Sequence, residues 1–433
     1  MSTPYRILSL DGGGSWALIQ VRCLQALFGP EARGHCILRQ FDLVAANSGG
    51  SIVLAGLVAD LPLSVILTVF ETEANRRAIF SPTGSRFWRA VHRLGHTFSL
   101  SFLQVGPHYA TERKLTALQA VLQGLEKPRP DGKGIATVCL EDVPAYVGGT
   151  AAHGPHFLIP TFDYNRQRSS FFRSDKASLG NTAVLQQALG GTAGHPHKGI
   201  TLLEAVHACS TAPVNFFDRP ACVKIHGQEN HLWDGGVAGY NNPVLAAVTE
   251  ALSNNIDADR IRVLTIGTGT QLWPVASAGQ VPDFAALVTE PVAEAGFSDD
   301  IRKLASSIVN APPDAASFVA FTVLNPGFVS RGATNQNFIR ANPSFQPTLK
   351  GTRWVAPGKF LQDDVKAIQK IELDAITEEE IGLIKSICTA WLDNELPNQP
   401  IRAGATLQCL LGQATFGDVQ AAFEAMFPIA VPC

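Results

Sequence analysis

The stretch Phe41-Asp42-Leu43-Val44-Ala45-Ala46-Asn47-Ser48-Gly49-Gly50-Ser51-Ile52-Val53 constrains the fold more than any other part of the chain. An apolar run ends in a sharp Asn-Ser-Gly-Gly turn and a second apolar run follows, which predicts a strand, a tight turn and a buried helix. A serine at such a turn is lifted out of the sheet with its hydroxyl exposed, over a helix N-terminus that stabilises negative charge. The small residues Ala46, Gly49 and Gly50 fit a backbone bent too tightly for larger side chains. The pattern is that of a G-x-S-x-G nucleophile elbow with Ala46 in the first glycine's place. Read alone, it is equally an ordinary glycine-rich turn.

A second stretch has the same logic. Tyr5 to Leu10 is a strand-like run, Asp11-Gly12-Gly13-Gly14-Ser15 follows, and Trp16 to Leu27 carries apolar residues at helical spacing. The amides of such a loop have no intrahelical partners, and glycine lets a ligand oxygen approach them. Two functions compete here. Gly12-x-Gly14-x-x-Ala17 fits the dinucleotide fingerprint, with Glu31 about 20 residues on as a ribose-binding acid. Against that, Glu31 stands beside Pro30 in a turn-like stretch. The alternative is an oxyanion hole, the same amides facing the oxygen of a tetrahedral intermediate.

A third stretch, His231-Leu232-Trp233-Asp234-Gly235-Gly236, places a carboxylate at a strand end on a glycine turn. The bland reading is an Asp-Gly hairpin turn. Further strands are predicted at 157–164 with a hairpin partner at 169–174, and at 261–266. Helices are predicted at 111–122, with Leu115, Leu118, Val121 and Leu122 on one face, and at 202–209. A capping box at Thr377-Glu378-Glu379-Glu380 opens a helix striped by Ile381, Ile384, Ile387, Cys388 and Trp391. Phe416, Val419, Phe423 and Phe427 form a last stripe, read as core packing, with a lipid- or partner-facing surface as the alternative. Stretches 273–296 and 311–358 show no strong period.

Bulk properties exclude several classes. The 433 residues are 46% hydrophobic and 16% charged, which favours a large buried core over disorder. A net charge of −3 gives no field for nucleic acid. Eight cysteines without a C-x-x-C pair read as small buried hydrophobes in a reducing compartment. The N-terminus shows no basic start followed by an apolar core, so no signal peptide is expected. Ser51 to Phe70 is long enough to span a membrane, but Asp60 and Pro62 interrupt it, and two buried helices are the better account. The basic and aromatic region 71–106, with Arg76, Arg77, Arg86, Arg89 and Arg93, reads as a solvated helical cover; an anionic-headgroup site is the alternative. His195 and His197 lack ligand neighbours and read as a surface loop.

Asp11-Gly12-Gly13-Gly14, Ala46-Asn47-Ser48-Gly49-Gly50 and Asp234-Gly235-Gly236, in that order and each at the end of an apolar run, together resemble the patatin-like phospholipase family. The flanks Phe41 to Ala45, Ala208 to Pro213 and Asn241-Asn242-Pro243-Val244 agree, and the resemblance covers about residues 5–270. It implies an α/β class, three-layer α/β/α fold with a mainly parallel central sheet. A hydrolase domain over 1–330 and a mainly helical C-terminal portion over 331–433, packed on the core, are expected. By the resemblance Ser48 is the nucleophile and Asp234 its general base, with no metal and no cofactor. Gly12, Gly13 and Gly14 supply oxyanion amides, and Asp11, Ala46, Gly49, Gly50, Gly235 and Gly236 support the motifs. The implied substrate is a phospholipid or related lipid ester met at a membrane surface by a cytoplasmic, peripherally bound protein. The oligomeric state stays open.

Four departures stand out. Trp16 and Ala17 replace the family's basic residue and glycine, Ala46 replaces a glycine, Ser51 stands where glycine is common, and one extra residue precedes Asn241-Asn242-Pro243. A Ser-His-Asp triad using His231 is a nearby rival. A non-catalytic lipid- or partner-binding protein on the same fold, motivated by Trp16 and Ala46, is the second functional expectation.

Overall fold

The structure is a computed structural model that describes residues 3–82, 108–127, 132, 134–148, 154–174, 199–213, 216–225, 227–275, 281–282, 312–327, 337–401 and 411–428. The sequence expectations for Arg86, Arg89, Arg93, His195, His197 and most of 273–296 lie outside the described residues.

An eight-stranded mixed sheet forms the centre. Its strands are β1 (Tyr5–Leu10), β2 (Leu43–Ala46), β3 (His156–Asp163), β4 (Arg168–Arg173), β5 (Ala221–Ile225), β6 (Gln228–Asp234), β7 (Ile261–Ile266) and β8 (Phe338–Ala341). The order is β8-β7-β1-β2-β3-β6-β5, with β4 also on β3. From β8 to β3 all neighbours are parallel; β4, β6 and β5 join antiparallel.

Both faces of the sheet are covered, which explains the continuous apolar strands. Leu8, Leu10 and Val44 face one core, with α1 (Leu18–Phe28), α3 (Ser48–Val58), α4 (Leu63–Glu71) and α7 (Leu202–Cys209). Ile7, Leu43, Ala45 and Leu158 face the other, with α8 (Val244–Ser253) and a helix over 312–324. Short α2 (Gly34–Leu38) and α5 (Glu73–Ile79) complete the first half, and α6 (Thr111–Leu125) packs on α5 and α7.

α3 and α4 are separate buried helices broken at 59–62, as Asp60 and Pro62 foretell. Among the described residues no helix is long and apolar enough to cross a membrane. The last two helices, α9 (Glu378–Leu392) and α10 (Phe416–Met426), bury their stripes in the first core. Phe423 meets Phe28 and Phe427 meets Phe41 edge-on or tilted, so the final stripe is core rather than a lipid face.

Three features go beyond the sequence expectations. The stretch 311–358, without a strong period in sequence, contains the 312–324 helix, β8 and short strands at Ser344–Phe345, Thr348–Lys350 and Arg353–Val355. The predicted stripe of α6 meets the first core, with Leu118 and Leu122 buried and Leu115 and Val121 partly buried against it, and Thr111 and Lys114 are buried beside it. Cys36 is disulfide-bonded, so the cysteines are not all simple hydrophobes.

Candidate active site

The sheet's pairing explains how residues 48 and 234 meet. β2 runs parallel to β3, with Leu43 opposite His156 and Ala45 opposite Leu158. β6 runs antiparallel to β3, with Asp234 opposite Thr161. β4 occupies the other edge of β3 from Leu158 to Asp163, overlapping both pairings. β2 and β6 therefore share one edge and point at each other, and their C-terminal ends abut. The sequence reading put Asp234 at the end of a strand in a largely parallel array; it is at a strand end, but arrives from the opposite direction.

At the end of β2, Asn47 is extended and Ser48 opens α3 with a φ of +46°, in the left-handed region. For a serine this is a strained conformation, retained only when its surroundings impose it. Ser48 is half-buried while its neighbours Asn47, Gly49 and Gly50 are buried. Ala46, in the first glycine's place, is fully buried and contributes to the core. The departure at Ser51 has a structural account: its hydroxyl donates to the Ser48 carbonyl at 2.6 Å and accepts from the Cys209 thiol at 2.9 Å. The elbow is thereby fastened to α7.

Asp234 is held from three sides. Its Oδ1 accepts from the Gly236 amide at 2.7 Å and from Asn47 Nδ2 at 3.0 Å, and its own amide donates to the Thr211 carbonyl at 2.9 Å. Burial pushes this carboxyl above the ordinary carboxylate range. Hydrogen bonding from Gly236, Ser48 and Asn47 and the charge of Lys114 pull it back. A carboxylate moved toward neutrality beside a serine hydroxyl suits general-base work. The sequence assigns Asn47 no role, because it stands at the variable position of the elbow; its signal is its place immediately before the serine.

Two close approaches require glycine. A Cβ on Gly12 would lie 2.2 Å from Asn241 Oδ1 and 2.9 Å from Ser48 Cβ, and one on Gly235 would lie 2.6 Å from Asn47 Oδ1. The glycine loop thus lies directly against the serine. The expectation that all three loop glycines offer amides is narrowed. The Gly12 amide donates to the Asn241 carbonyl at 2.7 Å, whereas those of Gly13 and Gly14 have no partner among the described residues. Asn242 caps the start of α8 through the Val244 amide at 3.0 Å, so the Asn-Asn-Pro segment both anchors the loop and begins a helix.

Asp11 does not face the serine. It pairs with Arg340 of β8 at 2.6 Å, both side chains being buried, and Arg340 also donates to the Thr265 hydroxyl at 3.0 Å. Burial raises Asp11 and the Arg340 charge opposes that. The only sequence signal for Arg340 is a cation inside the apolar run Phe338-Ile339-Arg340-Ala341. Trp16, in the place of the family's basic residue, is buried and donates its indole N–H to the Glu372 carbonyl at 3.1 Å. The Ser15 amide donates to the Leu373 carbonyl at 2.8 Å. A C-terminal segment is thus tied to the loop.

The rival readings find no geometry. His231 meets Asn165 in an exposed pair, away from the serine. Glu31 is exposed between α1 and α2 rather than at the end of β2. Among the described residues no group of three or more His, Cys, Asp or Glu side chains is placed to hold a metal ion.

A family model described as patatin-like phospholipase matches residues 8–248. No match is found among curated proteins. Among solved structures, VipD from Legionella pneumophila aligns with a TM-score of 0.34 and 11% identity, over 89% of this chain and 67% of that one. Human GIVD cytosolic phospholipase A2 aligns with a TM-score of 0.22 and 15% identity, over 40% of this chain and 22% of that one. The same human enzyme in complex with methyl gamma-linolenyl fluorophosphonate gives 0.21 and 14%, over 40% and 23%.

Proposed function

The chain belongs to the patatin-like phospholipase family, and from that premise we propose that it is a serine lipid acyl hydrolase. It cleaves carboxylic esters of phospholipids or related lipids through a Ser48–Asp234 dyad. The observation that carries the reading is the strained Ser48 beside the buried, raised carboxyl of Asp234, against a loop with two unengaged amides.

In this reading Asp234 takes the Ser48 proton as the hydroxyl oxygen attacks the ester carbonyl. The Gly13 and Gly14 amides receive the negative charge of the tetrahedral intermediate, each worth roughly 3–4 kcal/mol in comparable sites. The C–O bond to the alcohol breaks, and Asp234 returns the proton to that leaving group. Water then attacks the acyl-enzyme with Asp234 again as base, releasing the fatty acid and restoring Ser48. Lipid substrates imply work at a membrane surface, which the protein meets peripherally.

The test is phospholipid and simple ester hydrolysis by wild type, Ser48→Ala and Asp234→Ala. Both variants are expected to lose roughly 10⁴-fold or more in kcat, as for other nucleophile–base pairs. Equal rates in all three reject the assignment.

A further inference from the structure

α6 directs Lys114 inward, at the spacing it shares with Leu118 and Leu122. The residue is 1% exposed. Its Nζ donates to the His207 carbonyl at 3.3 Å and the Thr211 hydroxyl at 3.2 Å, and stands 4.4 Å from the centre of the Phe217 ring. Among the described residues no carboxylate forms an ion pair with it. Burying an ammonium is costly, and an apolar side chain would fill the same face more cheaply. Thr211 links this cation to the dyad: its hydroxyl accepts from Lys114 and its carbonyl accepts from the Asp234 amide at 2.9 Å.

We propose that Lys114 is a positioning residue for Asp234, its buried ammonium, held by Thr211, keeping that carboxylate ionised and ready to take the Ser48 proton. The proposal rests on the dyad reading above. The bland account, a lysine capping the C-terminal carbonyls of α7, predicts no effect on Asp234.

The other groups around the pair leave Lys114 as the cation that acts. On α7, burial together with the Lys114 charge lowers His207 to about 3, and burial pushes Cys209 up to about 12, so both are neutral near pH 7. The elbow presents only the neutral Ser48 and Asn47. On α5, Arg76 pairs with Glu378 and Arg77 with Glu73. Asp218 is engaged by the Thr111 amide at the start of α6. Burial draws Lys114 down to about 7, while Cys209 and Asp234 oppose that. Each member of the Lys114–Asp234 pair thus favours the charged form of the other.

The experiment is the rate of Ser48 labelling by a fluorophosphonate probe against pH, for wild type, Lys114→Met, Lys114→Arg and Thr211→Val. Removing the cation raises the pH at which Asp234 ionises. The acid limb of Lys114→Met therefore moves up by about one pH unit, seen as roughly tenfold slower labelling at a fixed pH on that limb. Lys114→Arg keeps the wild-type limb, and Thr211→Val moves it the same way by less. An unmoved limb in folded Lys114→Met overturns the proposal. Should that variant fail to fold, an unmoved limb in Thr211→Val overturns it. Wild type that stays unlabelled at every pH rejects the dyad itself, a distinct failure.

Discussion

Two N–H donors meet on one oxygen of Asp234, and one of them belongs to the residue that precedes the serine. In the proposed dyad Asn47 therefore couples base to nucleophile: any tilt of the elbow moves both together. A hydrogen bond to a charged group is worth about 1.5–3 kcal/mol. Asn47→Ala is expected to lower kcat about ten- to a hundredfold, with KM changed less than twofold, in steady-state kinetics on a soluble ester. The sign of the accompanying pH effect follows from the same bond. Asn47 lowers the Asp234 pKa, so its loss raises that pKa and activity disappears at a higher pH on the acid side. The proposed pair could be picked out in the sequence because each member ends its own apolar run and the three motifs come in the order the family resemblance requires; no motif was specific alone. The role of Asn47 could not, because it depends on β6 arriving from the opposite direction.

At the scale of elements, the glycine loop is braced by chain from beyond the matched family region. β8 brings Arg340 under Asp11, and the segment before α9 brings the Glu372 and Leu373 carbonyls over Trp16 and Ser15. Breaking a buried ion pair on one side leaves an uncompensated charge. Arg340→Met is thus expected to destabilise by about 3–5 kcal/mol, read from the denaturant midpoint. Asp11→Asn combined with Arg340→Met should recover a large part of that loss. Trp16→Phe removes both the indole N–H and the fused five-membered ring of a buried side chain; it should cost about 1 kcal/mol for the lost bond and roughly 1–2 kcal/mol more for the cavity, in the same measurement. None of these braces could be read in advance. Arg340 lies 329 positions from Asp11, and the partners of Trp16 and Ser15 are backbone carbonyls, which carry no residue signature. Lys114 did leave a trace, a charge at the i, i+4, i+8 spacing it shares with Leu118 and Leu122, beside the apolar stripe that Leu115 and Val121 complete.

For the whole molecule, the parallel half of the sheet ends in β8, hydrogen-bonded to β7 over Phe338–Ala341. Buried polar side chains knit this edge: Asn398 donates to the Arg340 carbonyl at 2.7 Å, and the Asn342 amide donates to Asn398 Oδ1 at 2.9 Å. A chain ending at residue 330 would leave the β7 edge unpaired and Asp11 without its cation. It is expected to aggregate rather than fold, which size-exclusion chromatography and circular dichroism would check. The α/β class followed from the family resemblance and from the strand–turn–helix units at residues 5–27 and 41–53. The place of β8 did not, since four residues amid Pro- and Gly-rich chain give too short a run.

The most direct test of the hydrolytic account is mass spectrometry of the intact protein after exposure to a fluorophosphonate, followed by peptide mapping. A single adduct on Ser48, absent from Ser48→Ala and strongly slowed in Asp234→Ala, is the predicted result. Wild-type protein that gains no mass, or gains it on another residue while Ser48 stays bare, would contradict the account.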